Sequence, residues 1–311
     1  MANKLSEYYC LIKDAGNEFL DDNATKLSAS LAYYTIFSIG PLLLVMITLM
    51  GFFYKKADIT AKIFYQLGNL VGQSGAEELR NILDNISKQS HTTLFGIIGI
   101  VVLLFGATGI FTEIQGSINY IWSIKAKPKR SWLKYLTDRL LSFSLIIGIG
   151  FLLLVTLFIN VIIDALTGRL QDYLGIVNII LIKGINVVLL FAVVTFLFAV
   201  IYKVLPDAKI YWKDALIGAS FTGVFFLIGK FLIGYYLGSS AGINTYGAAA
   251  SIILLLSWVY YSSMILYFGA EFTKVYAMKC GKGITIYDTA VYIIKREAKE
   301  LPDLKQPVLN K

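Results

Sequence analysis

The chain has 311 residues, of which 57% are hydrophobic and only 15% charged, where about a quarter charged is usual for a soluble protein. Its apolar residues come in runs of about 20 or more, long enough to cross a bilayer and too long for the core helices of a water-soluble fold. The formal net charge of +8 suits either a nucleic-acid surface or lysine-rich cytoplasmic loops, and its distribution decides between them.

Residues 1–29 place Leu5, Tyr8, Tyr9, Ile12, Phe19 and Leu20 among Lys, Glu and Asp. Their spacing predicts an amphipathic helix on the cytoplasmic membrane surface, closed by Asp21-Asp22-Asn23. There is no apolar leader, so a cleaved signal peptide is not expected. The first span, about 30–53, contains Pro41, which removes one helical hydrogen bond and makes a kink or hinge the expectation. Residues 54–93 form the longest loop, with two short amphipathic stretches split at Gly72-Gln73-Ser74-Gly75 and with His91 at its end.

The second span, about 93–122, carries Thr108, Thr112, Gln115 and Asn119 on one face, with Glu113 beside that stripe. The third, about 140–163, ends with Asn160 and Asp164 one turn apart. The fourth, about 176–204, has Lys183 and Asn186 one turn apart. The fifth, about 215–237, keeps Lys230 inside its hydrophobic run. A charge inside a membrane-length helix costs several kcal/mol and marks a functional-site candidate. The sixth, about 247–277, aligns Tyr260, Ser263, Tyr267 and Glu271 on one face. Residues 278–311 read as a basic cytoplasmic tail. The expected fold is therefore all-α: a polytopic six-helix transmembrane bundle with interfacial helices.

Of the 28 Lys and Arg, twenty fall in the N-terminus, the second and fourth loops and the C-terminal end; six fall on the opposite side and two within spans. That asymmetry predicts both termini in the cytoplasm and accounts for most of the charge without nucleic acid. Two distant cysteines, Cys10 and Cys280, give neither a disulfide framework nor a metal spacing. No cofactor or metal is expected.

Four stretches resemble the YihY/BrkB family of bacterial membrane proteins, once labelled ribonuclease BN. They are ASLAYYTIFSIGPLL, TGIFTEIQGSINYIW, LPDAKIYWKDALIGA and NTYGAAASIILLLSWVYYSSMILYFGAEF, in this order over nearly the whole chain. The most specific pieces are Tyr246-Gly247, Trp258 and Gly269-Ala270-Glu271. The resemblance implies a bacterial cytoplasmic-membrane protein with a helical bundle, and a role in transport of lipids or envelope components.

The residues suggest where such chemistry sits. At about 1.5 Å per residue, Lys230 lies roughly 24 Å along its helix from Asp214, and Lys183 about 10 Å from Ile176. Both then fall in the outer half, at a depth shared with Asn160 and Asp164. The expectation is a hydrated, cationic substrate pocket of Lys230, Lys183, Asn186, Asn160 and Asp164, suited to an anionic lipid or envelope precursor. The bland alternative is that each lysine snorkels to the interface or pairs with Asp164. Glu113 and Glu271, with Gln115, Asn119 and Tyr267, sit at the inner boundary as a gate, a proton site or structural polar groups.

Three functions follow. The first is a transporter or flippase-like protein; no GxxxxGK[ST] phosphate loop is present to drive it with ATP. The second is a non-transporting scaffold or adaptor of an envelope complex, which would engage a protein partner or a second copy of itself. The third, a membrane ribonuclease, needs metal-binding carboxylates or paired histidines on the cytoplasmic side. His91, alone in a non-cytoplasmic loop, does not supply them, so the chain is expected not to be an enzyme.

Overall fold

The computed structural model describes residues 2–50, 93–127, 177–239 and 249–295, with scattered residues between 60 and 84 and between 132 and 148. Six helices account for nearly all of them: α1 (Ala2–Asp21), α2 (Ala24–Met50), α3 (Thr93–Ile121), α4 (Val177–Val204), α5 (Trp212–Ser239) and α6 (Ala249–Lys279). Helices α2 to α6 have 27 to 31 residues, about 40–46 Å each at helical rise. Val187–Val204 of α4 and Trp212–Lys230 of α5 are apolar enough to cross a membrane, with mean hydropathies of 2.6 and 1.2. Helix α2 runs unbroken through Pro41.

The turn between α1 and α2 is set by Asn23, whose φ of 51° lies in the left-handed region that asparagine tolerates better than most residues. The amide of Asp22 still bonds the Glu18 carbonyl at 2.9 Å, while the Asn23 carbonyl already accepts from Lys26 at 2.8 Å. The chain therefore stops one helix and starts the next within two residues. Helix α1 docks on α6 through Leu11 and Ala15, which pack with Phe272 and Val275. Its other face leaves Tyr9 and Leu20 exposed, and Tyr8, on the docked stripe near the start of the helix, is exposed as well.

Helix α6 is the hub, packed against α1, α2, α3 and α5, while α4 lies on α5. The α5–α6 contact is unusually close, and glycine makes it so. A Cβ on Gly218 would stand 1.9 Å from Thr273 Oγ1, and one on Gly269 would stand 1.9 Å from Thr222 Oγ1. Tyr202 of α4 joins this seam: its hydroxyl lies 3.0 Å from Thr222 Oγ1 and donates to the Leu266 carbonyl at 2.8 Å. Phe221 and Phe272 stack at 3.9 Å on the adjoining face.

Below these helix ends, two short antiparallel ladders tie the connections together. β1 (Ile124–Ala126) pairs with β4 (Ala290–Tyr292), and β2 (Ala208–Lys209) pairs with β3 (Thr285–Ile286). The segment after α6 thus threads back beneath the ends of α3 and α4. Ile124, Ala208, Ile284 and Ala290 are buried there. Residues 280–295 are organised by these strands, where the sequence reads only as a basic tail. Strands of two or three residues are too short for a period-two pattern to register.

Candidate functional site

The best-defined polar site lies where α1, α3, α6 and the C-terminal strand meet. It is built on Gly269-Ala270-Glu271, and each residue of that triplet has a distinct job. Gly269 permits the approach of Thr222. The Ala270 carbonyl accepts a hydrogen bond from Trp122 Nε1 at 3.1 Å, fixing the C-terminal end of α3 against α6. Glu271 turns its carboxylate into the protein, where it is fully buried.

Around Glu271 stand Glu18 and Asp22 from α1 and its turn, Lys274 one turn along α6, and Lys295 after β4. One oxygen from each of the three carboxylates lies within 4.8 Å of the other two. Lys274 Nζ is 2.7 Å from Glu18 and 3.5 Å from Glu271. Lys295 binds Asp22, donates to the Ile121 carbonyl at 3.1 Å and lies over the Tyr120 ring. Among the described residues no lysine, amide or hydroxyl donor hydrogen-bonds either oxygen of Glu271, which faces the Asp22 carboxyl group. The two ammonium groups therefore each hold a carboxylate, and the third carboxylate, the most deeply buried, has only the more distant side of Lys274.

Two further polar contacts flank the cluster. Asn119 Nδ2 donates to Asp207 at 2.9 Å, and the Asp207 amide donates back to Asn119 Oδ1 at 2.8 Å. This pair pins the α4–β2 connection to the end of α3. On the outer side of α1, Lys279 binds the Asp14 carboxylate, and this bond holds Asp14 below its ordinary value of 3.8.

The Virulence factor BrkB family profile matches residues 15–286. The chain belongs to that family. A UPF0761 membrane protein of Pseudomonas paraeruginosa is 29% identical over 266 residues, covering 82% of this chain and 59% of that protein. A UPF0761 membrane protein of Tolumonas auensis is 26% identical over 266 residues, covering 81% and 80%. A protein of Bacillus subtilis named putative ribonuclease-like protein YfkH is 25% identical over 254 residues, covering 78% and 86%. The chain thus spans about three-fifths of the length of the Pseudomonas relatives it matches. No solved structure matches it. As a member of the BrkB family it is a bacterial membrane protein.

The residues expected at the inner boundary of this BrkB-family chain separate into different roles. Glu271 anchors the ionic cluster. Tyr267, one turn away on the same helix, is fully buried with no hydrogen-bond partner for its hydroxyl among the described residues. Asn119 is committed to Asp207. Gln115 is buried, and Glu113, beside the α3 stripe, is half-buried.

Of the residues expected on the outer side, Lys230 is described in full. It is half-buried and lines a cavity of about 10 Å³ with Phe226, Gly229, Trp258, Tyr261, Ser262 and Ile265, room for about one water. No carboxylate of a described residue pairs with it. Lys183 and Asn186 lie in α4, with their side chains outside the described residues, as are Asn160 and Asp164 altogether. Backbone register relates the two lysines. Gly223 of α5 faces Thr195 of α4, so Lys230 comes level with Val188. Lys183 lies five residues, about 7.5 Å, further along.

Sequence reasoning missed Glu18, Asp22, Lys274 and Lys295 as neighbours of Glu271. Glu18 and Asp22 are four residues apart and hence share a helix face, a signal that was available. Their convergence on residues 271 and 295 was not, because some 250 residues of sequence separate them.

Proposed function

We propose that this BrkB-family protein is a transporter-type membrane protein for an anionic or amphipathic, lipid- or envelope-related substrate. It has six spans, formed by α2, α3, the stretch at 140–163, α4, α5 and α6, and both termini are cytoplasmic. One observation carries the reading: Lys230, half-buried, lines a small and mostly apolar cavity with Phe226, Trp258, Tyr261, Ser262 and Ile265. Keeping an ammonium group in such surroundings is costly unless it binds something. The lysine asymmetry of the loops supports the orientation.

We read the protein as a non-enzyme. The carboxylates gathered at Glu271 are each within reach of a lysine rather than opposed to a histidine pair, and His91 is the only histidine. The word ribonuclease belongs to the name of the Bacillus relative. A nuclease assay on homogeneous protein tests this point, and activity lost in Glu113→Gln or Glu271→Gln would reverse it.

The deciding experiment is native mass spectrometry of the purified chain beside Lys230→Ala. An anionic lipid or envelope precursor retained by the wild type and lost from the variant is the expected result. Identical spectra from the two well-folded samples would remove Lys230 from the substrate path. They would favour an envelope-complex adaptor instead.

A further inference from the structure

The connection from α4 to α5 and the turn after α6 meet at the β2–β3 ladder and carry four lysines to one end of the molecule. Three of them stand over aromatic rings. Lys203 Nζ lies 5.9 Å from the ring centre of Trp212, Lys209 Nζ 5.4 Å from that of Tyr287, and Lys282 Nζ 4.5 Å from that of Tyr211. The fourth, Lys213, follows Trp212 in the chain and is exposed. The rings belong to the surface rather than the core: Tyr211 and Trp212 are 52% and 49% exposed, and Tyr287 is 40% exposed.

Acidic side chains do not answer these lysines. Asp207 and Asp214, in the same connection, are buried and bonded inward, Asp207 to Asn119 and Asp214 to the Lys282 amide. Within 203–214 and 280–288 the one exposed carboxylate is that of Asp288. No ion pair joins any of the four lysines to a carboxylate of a described residue. A ring face holds an ammonium group in position and leaves its charge and its outward N–H donors available to a ligand. The depth of the rim says which anion that is. Trp212 opens the stretch Trp212–Lys230, which is long and apolar enough to cross a membrane. The rim therefore lies where hydrocarbon gives way to headgroups, the level at which Trp and Tyr rings settle and at which lysines beside a span attract acidic lipids. A nucleic acid would require these same rings to stand clear of the bilayer, and their place at the foot of a span puts them against it.

We propose that Lys203, Lys209, Lys213 and Lys282 form a headgroup site for an anionic phospholipid of the cytoplasmic leaflet, with Tyr211 and Trp212 seated against the lipid at the same depth. The lipid phosphate joins two parts of the chain that the two-residue strands of the ladder hold only briefly, the α4–α5 connection and the segment after α6. The assignment to the cytoplasmic leaflet rests on the orientation proposed above. The site itself is separate from Lys230, which lies about 27 Å further along α5 at helical rise, and it does not depend on the substrate reading.

The test is native mass spectrometry of the full chain in detergent, titrated with phosphatidylglycerol or with phosphatidylcholine of the same acyl chains. The wild type is expected to bind phosphatidylglycerol at least about tenfold more tightly, because each lysine near a headgroup contributes to the attraction. The triple variant Lys209→Gln, Lys213→Gln, Lys282→Gln alters only exposed positions and should lose that preference. Arginine at the same three positions keeps the charge and should retain it. If the glutamine variant does not fold, Lys213→Glu, at an exposed position, replaces it and should weaken phosphatidylglycerol binding several-fold. Lys230→Ala, which is expected to lose the co-purified ligand, should keep the preference for added phosphatidylglycerol. Equal binding of the two lipids by the wild type overturns the proposal, as does a preference that survives in the glutamine variant. A preference lost in Lys230→Ala but kept in the glutamine variant also overturns it, and leaves the Lys230 pocket as the lipid site. An RNA oligonucleotide held more tightly than phosphatidylglycerol, and released by the glutamine variant, overturns the lipid assignment in favour of nucleic acid.

Discussion

Gly269 lies directly beneath Thr222, so close that a methyl group on Gly269 would stand 1.9 Å from the threonine oxygen and 2.5 Å from the Tyr202 hydroxyl. Thr222 cannot easily yield, because it is fully buried and its Oγ1 donates to the Gly218 carbonyl at 2.8 Å. Three helices therefore converge on one missing side chain. In a membrane, where lipid tails are as apolar as leucine, such close approach of small residues is a main source of helix association.

Gly269→Ala is accordingly expected to destabilise the protein by about 1–3 kcal/mol, the usual cost of overpacking. Thermal melting or the yield of monodisperse protein reads this out. Thr222→Ala alone should cost about 1 kcal/mol through its lost hydroxyl contacts. The double variant should be less damaged than the sum of the two, since removing the hydroxyl makes room for the methyl. Simple additivity would mean that Gly269 serves some purpose other than this contact.

The reciprocal hydrogen bonds between Asn119 and Asp207 support a second prediction. Both residues are buried, and they hold the connection after α4 to the end of α3. Asn119→Ala should cost about 2–3 kcal/mol, because one of the bonds lost is to a charged group. Combined with Asp207→Ala in a double-mutant cycle, the coupling should be about 1–3 kcal/mol. A coupling near zero would show that the pair does not carry the attachment of this connection.

How much of this was legible in the sequence depends on the range of the interaction. The helices announce themselves through runs of apolar residues, and Gly269-Ala270-Glu271 stands out as a motif without its partners being named. The docking of α1 was harder to read. Its aromatic residues Tyr8 and Tyr9 mark an apolar face, yet they are exposed, and the docked face holds Leu11, Ala15 and the carboxylates of Glu18 and Asp22. Those acidic residues disguise a buried face as a polar one. Asn119 could be placed on a helix face, but its bond to Asp207 spans 88 positions, and no local pattern encodes it.

The Asp14–Lys279 pair predicts how α1 docking responds to pH. The bond to Lys279 lowers the Asp14 value in the folded protein and raises that of Lys279. For a carboxylate with a depressed folded value, the stability contribution is present above the unfolded value, here the ordinary 3.8, and is lost as pH falls through the lower folded value. For the lysine the contribution is present below the ordinary 10.5 and is lost as pH rises through the higher folded value. The contact is therefore whole across the neutral range. The share of α1's resistance to proteolysis that this pair supplies should be insensitive to pH between these limits and be lost beyond either one. Lys279→Ala should accelerate cleavage at neutral pH, and added salt should do the same in the wild type because the pair is exposed. Cleavage unchanged in Lys279→Ala would show that this pair adds nothing to the hold that the apolar contacts of Leu11 and Ala15 and the ion pairs of Glu18 and Asp22 already have on α1.

Lys230 sets stability against function. It is half-buried and lines a small cavity with Phe226, Trp258, Tyr261, Ser262 and Ile265, a mostly apolar site that an uncharged side chain of the same length would fill more favourably. Lys230→Met keeps the length and removes the charge, so the variant should melt a few degrees higher than the wild type. A binding lysine is retained in spite of that cost, and the same variant should lose the anionic ligand in native mass spectrometry. Higher stability together with loss of ligand is the combined result that a substrate-binding lysine requires. A structural lysine paired through its charge would instead give lower melting and lower yield in Lys230→Met. Unchanged melting and unchanged ligand would mean that the charge at this position is indifferent to both.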